Sequence, residues 1–201
     1  MTGDIRVTKG TVQVTGELTP DTVRALTTRH RARTEIEIWR ARIATLDVLA
    51  GMERIERLAL VNSRLADPAS LSRMPRLRRL FLNQLTPAGG WGFVAGLTQL
   101  DELELLNIRG PIELPSLAEH RTLSRILVWG CRGFDGAAEL ASAPALTELT
   151  CVDTGLELDH LAPLLAHPTL RYLNVQLRTV RANAQLDELL AANGKRRRRA
   201  D

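Results

Sequence analysis

Residues 94–105 read VAGLTQLDELEL. Apolar side chains stand at Val94, Leu97, Leu100, Leu103 and Leu105, so a spacing of three gives way to a spacing of two. A spacing of two is strand periodicity: Leu103 and Leu105 face one way, Glu102, Glu104 and Leu106 the other. The closing pattern L-x-x-L-x-L recurs as Leu77-Leu80-Leu82, Leu123-Ile126-Val128, Leu146-Leu149-Cys151 and Leu170-Leu173-Val175. Upstream copies are Ile55-Leu58-Leu60 and the degenerate Arg33-Ile36-Ile38. The seven copies start at 33, 55, 77, 100, 123, 146 and 170. So constant a period predicts an array of stacked units, none of which buries its apolar face alone. Val12 and Val14, two dozen residues before Ile36 and Ile38, fit an eighth, capping unit.

Composition agrees. Leucine supplies 35 of 201 residues while Phe, Trp and Tyr together supply 7, as expected when one packing unit is used repeatedly. Apolar residues at 44% and charged residues at 25% describe a folded body. Two cysteines exclude a disulfide scaffold. No apolar run approaches the roughly 20 residues of a membrane span, and Met1–Gly10 lacks the apolar region of a secretory signal. A soluble, cytoplasmic setting is the expectation. Only Lys9 and Lys195 are lysine, and with abundant Ala, Gly and Leu this bias suggests a GC-rich bacterial source.

The net charge of +4 is concentrated at one end. Without residues 195–201 the body carries 22 basic and 22 acidic side chains, being 27 less Lys195–Arg199 and 23 less Asp201. Lys195–Arg199 therefore reads as a basic, disordered tail able to touch phosphate or anionic lipid by simple electrostatics. The neutral body shows no basic stripe along its strands, which disfavours nucleic acid as a partner.

The extended ladders Leu49-Met52-Ile55-Leu58-Leu60 and Leu71-Met74-Leu77-Leu80-Leu82 resemble the leucine-rich repeat family, in its 22–23-residue, bacterial internalin-like class. The resemblance covers about residues 33–180. It implies an α/β leucine-rich-repeat solenoid, with a curved parallel sheet on the concave face and short helices, 3-10 turns and loops on the convex face. It implies little about individual function. Family members carry Asn three residues after the last strand leucine; here that column reads Ala41, Ser63, Leu85, Ile108, Cys131, Thr154 and Arg178. Slack turns are expected at the third and fourth repeats. The organisation is then an N-terminal cap over 1–32, about seven repeats over 33–181, a capping helix over 182–194 and the tail over 195–201. Thr19-Pro20, Asp67-Pro68 and Thr86-Pro87 carry the chemistry of helix starts. Pro75, Pro144 and Pro168, each two residues before a ladder start, end the return segments.

Catalytic and metal motifs are missing. His30, His120 and His167 share one repeat column and lie about 10 Å or more apart at the strand spacing, too far to share a metal; a structural role is expected. His160 stands alone on a return segment. Cys151 occupies a core leucine position and Cys131 the following turn of the previous repeat, so neither a disulfide nor a reactive thiol is expected. Gly89-Gly90-x-Gly92 lacks the Lys-Ser/Thr of a phosphate loop and reads as an irregular return. No enzyme, cofactor, metal or small-molecule substrate is expected.

The outward positions of the strands carry the functional signal. One column reads Glu35, Arg57, Arg79, Glu102, Arg125, Glu148, Tyr172. The central one reads Glu37, Ala59, Phe81, Glu104, Leu127, Thr150, Asn174, and the third Trp39, Val61, Asn83, Leu106, Trp129, Val152, Gln176. Exposed aromatic and aliphatic side chains rimmed by Arg and Glu have the make-up of protein-binding hot spots. The candidate partner-binding residues are Trp39, Arg57, Arg79, Phe81, Glu102, Glu104, Arg125, Leu127, Trp129 and Tyr172. The expected function is a non-catalytic module binding a protein or peptide on the concave sheet, as scaffold, regulator or inhibitor. An immunity protein neutralising a toxin fits the same surface, and a nucleic-acid-associated protein would use the basic tail.

Overall fold

The computed structural model describes residues 3–198. The N-terminal cap is a hairpin of β1 (Asp4–Thr8) and β2 (Thr11–Thr15), followed by α1 (Pro20–Arg29). Thr19 caps α1 by accepting from the Thr22 amide, with Pro20 in the first turn. Seven repeat strands follow: β3 (Glu35–Trp39), β5 (Arg57–Val61), β7 (Arg79–Asn83), β9 (Glu102–Leu106), β10 (Arg125–Trp129), β11 (Glu148–Val152) and β12 (Tyr172–Val175). Between them lie β4 (Arg42–Thr45), β6 (Arg64–Asp67) and β8 (Thr86–Pro87). The return segments include α2 (Ala137–Ala141), α3 (Ala162–Leu165) and single 3-10 turns, and α4 (Val180–Ala192) closes the array.

The main sheet runs β1-β2-β3-β5-β7-β9-β10-β11-β12. Only the β1–β2 pair is antiparallel; β2 onward stacks in parallel, and β2 is the eighth unit expected from Val12 and Val14. Register follows the leucine columns without a slip: Ile36, Leu58, Leu80, Leu103, Ile126, Leu149 and Leu173 are successive partners. All seven are buried, within one continuous core reaching from Val12 to Leu190. The sheet is about 38 Å across, eight steps of roughly 4.8 Å. In α4, Leu186 and Leu190 are buried, while Leu189 stays 37% exposed.

The turns are regular, contrary to the slackness expected at the third and fourth repeats. The residue two past the last strand leucine adopts a left-handed conformation at Arg40, Asn62, Gln84, Asn107, Gly130 and Asp153. The first five donate their amides to the carbonyl that ends the next strand: Arg40 to Val61, Asn62 to Asn83, Gln84 to Leu106, Asn107 to Trp129 and Gly130 to Val152. The amides thus tie each turn to the following repeat, and no buried Asn is needed. Ser63 and Cys131 supplement this by side-chain bonds to backbone: Ser63 Oγ accepts from the Ala41 amide and Cys131 Sγ donates to the Leu105 carbonyl. Leu85 and Ile108 simply join the core.

Beyond each early turn the chain makes a second, three-stranded parallel sheet, β4-β6-β8, that leucine periodicity did not announce. Thr86-Pro87 belongs to it and pairs with Arg64-Leu65, so it starts no helix. Asp67-Pro68 does open a 3-10 turn, though the Asp67 side chain makes no capping bond.

The basic tail is also corrected as far as Arg198. Strand starts are joined by a ladder in which the Arg78 amide donates to Glu56, Asp101 to Arg78, Ser124 to Asp101, Thr147 to Ser124 and Arg171 to Thr147. The Arg196 amide donates to Arg171 and is the next rung, and the Leu173 amide donates back to the Arg196 carbonyl. Lys195 is 8% exposed, and its ammonium donates to the His167 and Leu170 carbonyls. This segment covers the open edge of β12, an edge that would otherwise present unpaired backbone groups. Arg199–Asp201, the rest of the expected tail, lie outside the described residues.

Candidate functional site

Parallel register places the outward side chains of neighbouring repeats about 4.8 Å apart. The first column becomes two clusters of ion pairs. Arg57 reaches Glu37 at 3.1 Å and Arg79 reaches Glu35 at 2.9 Å. Arg125 reaches Glu102 at 2.7 Å and Glu148 at 3.4 Å, and Arg198 closes on Glu148 at 2.7 Å. The carboxylates Glu35, Glu37 and Glu148 complete this network. Sequence columns list them but do not pair them, because pairing across repeats depends on side-chain reach.

Glu104 stands outside the network. Its strand position faces Phe81 on β7 and Leu127 on β10, and it makes no hydrogen bond or ion pair among the described residues. Burial pushes the Glu104 carboxyl above the ordinary glutamate range; the Glu102 carboxylate adds to the rise, and Arg57, Arg125 and Arg79 oppose it. Beside it, Trp129 is the most exposed aromatic of the face at 49%. It pairs in register with Leu106 and Val152, both half-buried. Phe81, Glu104, Leu127 and Trp129 therefore form one patch, with Arg79, Glu102 and Arg125 along its rim.

Two candidates lie away from this patch. Trp39 is half-buried between Thr15 and Val61, two strands from Asn83, and its indole N–H donates to Glu37. Ala59 and Val61, both buried, separate it from Phe81. Tyr172 is covered internally: the Arg196 guanidinium lies 5.3 Å from its ring centroid, and the two residues bridge in parallel. Its availability to a partner, expected from its column, is reduced by the ordered segment Lys195–Arg198.

The same segment engages its own cations internally. Arg197 pairs with Asp187 at 2.6 Å and donates to the Val175 carbonyl, and Arg198 pairs with Glu148.

The histidines are built into the scaffold. His120 Nε2 lies 3.0 Å from the Val94 carbonyl and His167 Nε2 lies 3.0 Å from the Ala143 carbonyl. Each clamps its own repeat to the previous one, and His167 Nδ1 also accepts from the Leu170 amide. His160 completes a capping box with Glu157. Both cysteines are free and buried, and burial pushes both thiols up, Cys151 far up. Low nucleophilicity follows, since the thiolate is the reactive form. No group of three or more His, Cys, Asp or Glu among the described residues could hold a metal ion. No helix among them is long and apolar enough to cross a membrane.

A second concavity lies at the turn edge of the sheet. It encloses about 590 Å³ between Arg40, Arg42, Arg64 and Arg109, with Asn62, Gln84 and Asn107 between them. Sequence columns on the strands show no basic stripe. The structure assembles one just beyond their ends, from residues two and four past the last strand leucine.

No family model matches the chain, and no curated protein matches it. Solved structures do match. One is an internalin from Listeria monocytogenes, aligned at 17% identity with a TM-score of 0.58, covering 89% of this chain and 58% of that one. The chain thus spans little more than half of that neighbour's length, and the likeness is one of fold. The chain therefore has the fold of an internalin-like leucine-rich-repeat solenoid.

Proposed function

We propose that the chain is a non-catalytic protein-interaction module that seats a protein or peptide partner on the patch Phe81, Glu104, Leu127 and Trp129. The observation that carries this reading is Glu104, a half-buried carboxylate with no direct ion pair or hydrogen bond among the described residues, set between two apolar neighbours in register. Desolvating a carboxylate without a cation is unfavourable. A partner that presents Lys or Arg at Glu104, and an apolar side chain against Trp129 and Leu127, relieves that cost while burying exposed apolar area. Hot spots of this kind pair a central anchor with a polar rim. Arg79, Glu102 and Arg125 supply that rim here. The role is that of a scaffold, regulator or inhibitor in a cytoplasmic setting.

The test is capture of partners from an extract of the source organism, followed by amide exchange of the purified complex. Protection concentrated in residues 79–83, 102–106 and 125–129 supports the reading. Protection confined to the convex side overturns it.

A further inference from the structure

We propose that the groove at the turn edge is a binding site for a compact polyphosphate, a ligand of two or more linked phosphates. The site is separate from the partner-binding patch. Arg42 and Arg64 are directly opposed on β4 and β6, and Thr86 follows them on β8. Arg109 holds the same position, four past its strand leucine, one repeat further on. Arg40 joins from the left-handed position of its turn.

Every arginine of the sheet face discussed above has a carboxylate, and at the turn edge Arg132 has Asp153 at 2.9 Å. The four groove arginines differ: none of their guanidiniums makes a hydrogen bond or ion pair among the described residues. The residues lining the groove include no carboxylate. Like charges on directly opposed strands repel, and guanidinium forks match tetrahedral oxyanions bidentately. The side-chain amides of Asn62 and Gln84 add donors between them.

Size and chemistry select the ligand class. A volume near 590 Å³ is that of a small-molecule site. The groove spans four repeats, about 14 Å at the strand spacing. No aromatic side chain lines it to stack a base. Single-charge carboxylates match four guanidiniums only by crowding several acidic side chains into this space, whereas linked phosphates carry that charge on a few atoms.

The test is calorimetric titration of the full chain with tripolyphosphate. Orthophosphate, a hexaglutamate peptide and a 20-nucleotide single strand serve as comparators. Expected are saturable binding of one tripolyphosphate per chain, at least tenfold weaker binding of orthophosphate, and at least a tenfold loss in Arg42→Ala/Arg64→Ala. The exposed-site control Arg54→Ala keeps wild-type affinity, and Arg109→Glu loses affinity as an independent check on the groove. Four results overturn the proposal: no saturable binding, orthophosphate binding as tightly, binding retained by the double variant, or tighter binding of the peptide or nucleic acid.

Discussion

Phe81 and Glu104 are directly opposed across β7 and β9, and the Glu104 carboxylate makes no direct ion pair among the described residues. Its pKa is raised above the unfolded value, so the folded chain takes up this proton more readily than the unfolded chain. The cost to stability is fully present above the raised folded-state pKa and is relieved as pH falls through it. Glu104→Gln should therefore raise Tm by a few degrees at most near neutral pH. The gain should shrink toward zero in acid, once wild-type Glu104 is protonated. Thermal melts of the two proteins across pH check both signs. A variant that melts lower at neutral pH contradicts this account of Glu104.

Lys195 closes the final repeat through the His167 and Leu170 carbonyls. Lys195→Ala leaves both acceptors short of a charged donor and should cost about 1–3 kcal/mol. Urea denaturation measures the loss. Amide exchange should show it concentrated in β12 and α4, with β5 and β7 little changed, because solenoid repeats couple to their neighbours.

His167 joins two repeats with both ring nitrogens, one at the Ala143 carbonyl and one at the Leu170 amide. His167→Leu keeps the apolar volume and strands both backbone groups, at a cost of about 1–3 kcal/mol. His167→Leu melting like wild type would remove the clamp assigned to it.

The left-handed turn column gives a pair of opposite signs. Gln84 holds φ +51 and Gly130 holds φ +66. A left-handed conformation costs a side-chain-bearing residue roughly 1–2 kcal/mol. Gln84→Gly should therefore be stabilising or neutral. Gly130→Ala should be destabilising by about 1 kcal/mol or more, since its added Cβ also sits 2.5 Å from the Asn107 side-chain oxygen. Chemical denaturation of both variants decides the matter.

The repeat sheet was legible in the sequence because burial on one face forces a period of two, and a one-residue slip would expose every leucine. The partners Leu58, Leu80 and Leu103 follow directly from that rule. The central patch was legible too, since Phe81, Leu127 and Trp129 occupy outward strand positions. Internal pairing was not. Arg57 and Arg125 look alike in their column with Arg42 and Arg64 in theirs, yet only the first two meet carboxylates. Arginine is compatible with any exposed position, so its partner is decided by side-chain reach in three dimensions. Lys195–Arg198 read as a solvated tail because its composition is polar. A signal lay in its spacing: Arg196 falls where the next rung after Arg171 is due. The Arg196 contact on the Tyr172 ring is hidden in the sequence for the same reason, as Arg196 belongs to that segment.

The central claim is that the Phe81–Trp129 patch carries partner affinity. Its most direct measurement is calorimetric titration of the captured partner against wild type and the double variant Phe81→Ala/Trp129→Ala, with circular dichroism to show that the variant is folded. The account predicts a loss of about 30-fold or more, the scale of a hot-spot pair of at least 2 kcal/mol. A folded double variant that binds the partner as tightly as wild type would contradict it.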